Sequence, residues 1–221
     1  MARPRKTLLT RQRIVDAAVA LADADGLEAV SVRRLATELG VRGPSLYNYF
    51  ATKAQILEAV ADSVVAQVDL TPFVTHDWPE ALRLWASSYR DVLSAHPNIV
   101  PVIAHGPGRR PASLAMADAL FGALIEAGWS EARAVQIGAL MRYMVIGSAL
   151  GSFSHGFEDD AQTYQRYRHL GRAPLLVQYG QFVDERAFTL GLETLISGLA
   201  AQLRDKRETA GALAEWNGAD R

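Results

Sequence analysis

Residues 31–50 read SVRRLATELGVRGPSLYNYF. Ser31 stands where a helix N-cap is wanted, and Val32, Leu35, Ala36 and Leu39 follow on one face at helical spacing. Gly40 sits at the position past a helix end that favours positive φ. After Gly40-Val41-Arg42-Gly43, Pro44 suits the first position of a second helix, where its missing N–H would have no helical partner. Leu46, Tyr47 and Phe50 continue that helix. Leu35, Ala36, Leu39, Val41 and Leu46 would pack the corner closed and turn the start of the second helix outward, as a helix docks in a major groove. An αα-corner in any helical protein packs the same way. The surrounding chemistry favours DNA. Arg33, Arg34 and Arg42 ring the corner, Lys53 follows it, and Gly43, Ser45 and Asn48 are small or polar enough to approach base edges.

Helical spacing extends over nearly the whole chain, and strand-like alternation is nearly absent. Ile14, Ala17, Ala18, Leu21 and Ala22 define a first helix over about 10–25, stopped by Gly26. Thr52-Lys53-Ala54-Gln55 has the capping-box pattern and opens a helix expected to reach about Leu70. Further helices are expected from Asp77 to Pro97, as a short piece after Pro97, over about 111–127, and from Ser130 to about Ser154. Residues 155–180 read as a polar, aromatic, irregular excursion. Asp184 is expected to cap a last helix ending near 206, before a frayed tail over 207–221. The fold class is all-α, with nine or ten helices. The boundaries read 1–53 for a DNA-binding head, 54–206 for a larger body and 207–221 for the tail.

The composition is that of a globular protein, 49% apolar and 21% charged over 221 residues. With no cysteine, disulfides and thiolate metal sites are excluded. The basic start, Met1-Ala2-Arg3-Pro4-Arg5-Lys6, runs into polar residues without an apolar signal core. The most apolar run, Val135–Leu150, is broken by Gln136 and Arg142 and is shorter than the roughly 20 residues a membrane span needs. A cytoplasmic location is expected. The net charge of −1 hides an asymmetry: residues 1–53 hold nine Lys/Arg against five Asp/Glu, and the remainder fourteen against nineteen. A basic head on an acidic body fits a polyanion-binding module joined to something else.

Residues 9–57 resemble the tetracycline-repressor (TetR) family DNA-binding domain almost continuously. The carriers are Gly26-Leu27 after the first helix, Ser31-Val32-Arg33-Arg34-Leu35-Ala36, Leu39-Gly40-Val41, Ser45-Leu46-Tyr47-Asn48-Tyr49-Phe50 and Thr52-Lys53. The resemblance implies a homodimer on a palindromic operator, usually as a repressor. It places DNA contacts at Arg33, Arg42, Gly43, Pro44, Ser45, Tyr47, Asn48, Tyr49, Thr52 and Lys53. Tyr47, Tyr49 and Lys53 fall where phosphate contacts are common. Gly43 departs from the tetracycline repressor itself, which has a long polar side chain there, so the operator cannot be copied from it.

The body resembles the tetracycline-repressor type of C-terminal domain over about 77–203, through Ala95-His96-Pro97, Ala127-Gly128-Trp129-Ser130 and Arg186–Leu192. That resemblance implies ligand binding and dimerisation. Trp85, Tyr89, Phe121, Leu124, Met141, Tyr143 and Met144 are expected around a cavity for a small, largely apolar effector of unknown identity, with His96 and His105 flanking the short helix between them. Aromatic and Met residues at such spacing also make ordinary core. The 130–154 helix is apolar nearly all round and needs cover on more than one side. Together with Gly191 and Gly198 of the last helix it is expected to pair with its two-fold mate. No metal or cofactor is expected. The five histidines show no HxxxH spacing, and neither a GxSxG nor a phosphate-cradling glycine loop occurs. The sequence therefore reads as a regulator and not an enzyme. An activator of the same fold, or a helical adaptor without DNA binding, are the competing readings.

Overall fold

The computed structural model describes residues 8–106, 108–157 and 161–218. Arg3, Arg5, Lys6 and the acidic run at 158–160 lie outside the described residues. Those described form α-helices and 3-10 helices and no strand.

The helices are α1 (Arg11–Asp25), α2 (Val32–Glu38), α3 (Lys53–Val65), α4 (Pro72–Thr75), α5 (Trp78–Ala95), α6 (Val100–His105), α7 (Pro111–Glu126), α8 (Glu131–Ala149), α9 (Ala161–Gln165), α10 (Ala173–Gln178) and α11 (Gly180–Gly218). The count exceeds the sequence expectation because α4, α9 and α10 are short helices in stretches without strong periodicity. Three ends also differ. The helix opened by Thr52 stops at Val65, where the N–H groups of Gln67 and Val68 turn to carbonyls three residues back and tighten the last turn. Asp184 does not cap the last helix. It lies inside α11, and its carboxylate accepts the Phe153 N–H at 3.1 Å. Beyond 206, where the sequence suggests a frayed tail, α11 continues to Gly218, through a stretch that includes the helix formers Glu208, Ala210, Ala212, Leu213, Ala214 and Glu215.

The chain divides into two compact units. One holds residues up to Val68 together with Asp91–Met116, and the other holds Asp69–Arg90 together with residues from Ala117 on. In the first unit α1 packs on α3, and Ile14, Ala18, Leu35, Val60 and Val64 are fully buried. Each large aliphatic buried this way contributes about 1.5–3 kcal/mol. This unit also contains a buried cation. Arg110 donates Nε to Glu58 Oε2 at 2.7 Å and Nη2 to Glu58 Oε1 at 3.2 Å, and Nη2 also reaches the Val102 carbonyl at 2.9 Å. Asp62, one turn on, accepts the Ala112 N–H at 2.8 Å. Gly106 is required here, because a Cβ would lie 2.5 Å from the Val102 carbonyl oxygen as well as against the Arg110 guanidinium.

The second unit buries Leu82, Trp85, Tyr89, Leu124, Ile137, Met141, Val145, Leu192 and Ile196. Phe73, Trp85 and Tyr89 form a row of mutually tilted rings with centroids 5.8–5.9 Å apart. Arg83 of α5 donates to Glu193 of α11 at 2.8 Å, and that bond holds its guanidinium pKa above the usual arginine value. Gly138 lets α8 approach α7, where an added Cβ would sit 2.4 Å from the Phe121 ring.

Candidate nucleic-acid interface

Local chemistry builds the corner as its sequence implies. Ser31 Oγ accepts the Arg34 N–H at 3.2 Å and starts α2. At the other end Gly40 takes φ +65°, the Val41 N–H reaches the Ala36 carbonyl at 2.9 Å and the Gly40 N–H reaches Thr37 at 3.2 Å. This is a Schellman closure, satisfying two carbonyls that helix termination leaves open.

The second element of the corner, Gly43–Asn48, is a 3-10 helix where the sequence suggests an α-helix. It is only six residues long, and Pro44 supplies no N–H, so the tighter three-residue turn is adopted. Side chains three apart then nearly eclipse. Pro44 aligns with Tyr47 and Ser45 with Asn48, while Leu46 turns inward and is 1% exposed. Pro44, Tyr47 and Asn48 are exposed and Ser45 is half-buried. A Cβ on Gly43 would meet only Val32 at 3.9 Å, so packing does not force a glycine there.

Thr52 caps α3, its Oγ accepting the Gln55 N–H at 3.2 Å. Gln55 Oε1 reaches back to the Ala51 N–H at 2.8 Å, one residue earlier than the usual capping box. The Thr52 hydroxyl accepts in its cap bond and so keeps its own proton to donate, beside the positive end of α3.

The cations of the corner differ. Arg34 is paired with Asp25, both about half exposed. Lys53 faces Glu28 at 3.8 Å, and the Glu28 side chain is fully exposed, so this loose pair yields easily to another anion. The Arg33 and Arg42 guanidinium groups are exposed, with no hydrogen-bond or ion-pair partner among the described residues. Tyr47 is 56% exposed and Tyr49 36%. The Tyr49 hydroxyl donates to the Leu9 carbonyl at 2.7 Å, so while that bond stands it can only accept.

The residues expected around an effector cavity do not form one set. Trp85, Tyr89, Leu124 and Met141 are buried in the second unit, Phe121 and Met144 are half-buried there, and Tyr143 is 69% exposed on α8. His96 and His105 belong to the first unit. His96 Nδ1–H donates to Asp23 Oδ2 at 2.8 Å, and the exposed His105 donates to the Pro101 carbonyl at 2.9 Å. The Trp85 indole N–H is buried with no hydrogen-bond partner among the described residues. No group of three or more His, Asp or Glu among the described residues could hold a metal, and no helix there is long and apolar enough to cross a membrane. Sequence reasoning missed the Arg110–Glu58 and His96–Asp23 pairs, since neither spacing carries a local signal.

The family model of bacterial regulatory proteins of the tetR family matches residues 14–60, and the tetracyclin repressor-like C-terminal domain matches 71–203. An HTH-type transcriptional regulator of Saccharopolyspora erythraea is 31% identical over 206 residues, covering 89% of this chain and 86% of its own. The class C tetracycline repressor of Escherichia coli is 33% identical over 203 residues, covering 86% and 90%. The structure of the TetR family protein ActR from Streptomyces coelicolor, in complex with (S)-DNPA, superposes with a TM-score of 0.73 at 29% identity, over 88% of this chain and 98% of that one. The chain belongs to the TetR family of bacterial transcriptional regulators, with the corner at 31–50 as its helix-turn-helix.

Proposed function

We propose that this regulator is a homodimeric repressor that binds a palindromic operator and is released by a small, largely apolar effector. Residues up to 53 carry the DNA contacts, and residues 54–206 carry effector binding and dimerisation. The observation that carries the DNA reading is the exposed face of the corner, where Arg33, Arg42, Tyr47 and Asn48 stand free beside the capped start of α3. Arg33, Arg42, Tyr47, Thr52 and Lys53 would position the backbone, and Gly43, Pro44, Ser45 and Asn48 would face base edges.

A dimer through α8 and α11 is supported by what their surfaces leave uncovered. Val135, Leu140, Tyr143 and Leu190 are exposed large apolar residues on these helices. Gly198 has open space at its Cβ, in a groove of about 310 Å³ lined by Ile137, Leu140, Leu195 and Leu199. Arg133, Gln136, Thr194 and Gln202 also line the groove, and exposed apolar surface rimmed by polar residues favours an interaction surface.

For the effector, the buried Trp85 N–H is a donor in want of an acceptor within an aromatic wall, which suits a ligand carrying a carbonyl or hydroxyl on an apolar frame. The actinorhodin-bound structure of ActR shows what one relative accommodates. An effector acts only through its different affinity for the operator-binding and released arrangements.

The test is a gel-shift titration against a duplex selected by the protein from a random-sequence pool, repeated at rising salt. With 6–10 phosphate contacts, affinity falls about 10³–10⁵-fold between 50 and 200 mM salt. Binding that ignores salt would reject the operator reading and favour a helical adaptor.

A further inference from the structure

Arg83 and Arg90 stand seven residues apart on α5, which puts them on one face of the helix and about 10 Å apart along its axis. Both reach α11, and there they meet opposite surroundings. Arg83 donates Nε to Glu193 at 2.8 Å and Nη1 to Glu80 at 3.1 Å. Arg90 lies over an aromatic ring instead, with its guanidinium carbon 4.7 Å from the centroid of Phe188. The Arg90 guanidinium makes no hydrogen bond or ion pair among the described residues, and its Nε is buried without an acceptor.

The Phe188 ring attracts the charge but gives the Nε–H no lone pair. Arg90 is half-buried, and a desolvated cation is costly unless a carboxylate matches it, as Glu193 and Glu80 match Arg83. The acceptor that the fold withholds from Arg90 is one that a ligand can bring. A planar guanidinium pairs with a carboxylate through two parallel N–H bonds, so a carboxylate suits it best. Space for the rest of such a ligand begins at the same ring. Phe188 lines a cavity of about 540 Å³ whose walls include Met144, Leu150, Phe153 and Ala187. Asp184 also lines it, with its carboxylate accepting the Phe153 N–H at 3.1 Å. That carboxylate repels an anion on its own side and leaves the Arg90 end for the charged group.

We propose that Arg90 is the anion-reading position of the effector site, and that the effector is an organic acid, a carboxylate on an apolar frame. This rests on the effector reading above and adds to it the charge of the ligand.

The probes are benzoate, naphthoate and anthracene carboxylate, each paired with its neutral primary amide. Each is titrated by calorimetry into wild type, Arg90→Met and Arg90→Lys. Wild type is expected to bind at least one acid about 10–100-fold more tightly than its amide, the gain from charge-assisted bonds to a desolvated guanidinium. Arg90→Met should bind acid and amide alike. Arg90→Lys should keep part of the preference, since it retains the charge without the planar fork. Without any probe, Arg90→Met should lower Tm by no more than about 2–4 °C, the loss of one ring contact. A larger fall would mean that Arg90 has a structural partner, and would overturn the proposal. So would equal binding of acid and amide by wild type, or a preference for the acid that survives Arg90→Met. An acid that binds through Arg90 yet leaves operator affinity unchanged in gel shifts keeps the anion site and overturns its effector role. Binding of neither acids nor amides is a different failure, that of the effector reading itself, and the Arg90 assignment falls with it.

Discussion

Replacing Arg110 by Met keeps most of the side-chain volume and removes a cation that is 5% exposed. Three hydrogen bonds go with it, two to Glu58 and one to the Val102 carbonyl. Breaking a fully buried pair from one side costs about 3–5 kcal/mol, and breaking an exposed pair about 0–1 kcal/mol. Glu58 is 39% exposed, so the stranded carboxylate partly rehydrates and the pair falls between these limits, near 2 kcal/mol. The Val102 carbonyl keeps the Gly106 N–H at 3.0 Å, so losing its second donor adds only about 0.5 kcal/mol. The sum of about 2.5 kcal/mol converts to a fall in Tm of about 5–10 °C for a chain of this size. Thermal unfolding followed by circular dichroism, at fixed pH and protein concentration, measures it. Arg34→Ala is the control, since its pair with Asp25 is about half exposed on both sides and its loss should shift stability by no more than about 0.5 kcal/mol. Equal shifts for the two variants would refute the reasoning that burial, and not ion pairing as such, sets the cost.

Other outcomes follow from the same structure. Tyr47→Ala and Lys53→Ala should each weaken operator binding, with Lys53→Ala flattening the salt slope by about 0.9 per protomer in gel-shift titrations. Gly43→Gln should fold like the wild type, because its Cβ meets only Val32 at 3.9 Å, and should change the base preference recovered by repeated selection from random duplexes. Gly40→Ala should cost about 1–2 kcal/mol in denaturant titrations, since an L-residue is strained at φ +65° even with open space around it. Leu140→Glu places a charge in the α8–α11 groove and should yield monomers by light scattering, whereas an unaltered dimer would move the interface elsewhere.

By itself the sequence located the long helices, the caps at Ser31 and Thr52 and the corner between α2 and α3. Ser31, Gly40, Pro44 and Thr52 act on groups within a few residues, so their spacing is enough to locate α2, the recognition helix and the start of α3. The excursion at 155–180 was illegible in detail because its short helices lack a periodic apolar face. The 3-10 form of the recognition helix lay on the border of local propensity. Only tertiary structure decided which charges stay free. Arg33, Arg34 and Arg42 look alike in sequence, yet Asp25, nine residues before Arg34, occupies that one alone. Tyr49 found its acceptor 40 positions away, Arg110 its carboxylate 52 away and His96 its carboxylate 73 away. Trp85, Tyr89, Leu124 and Met141 likewise could not be assigned to wall or core from spacing. A hydrogen bond or a buried contact depends on what folding brings within a few ångströms, and no local pattern encodes that.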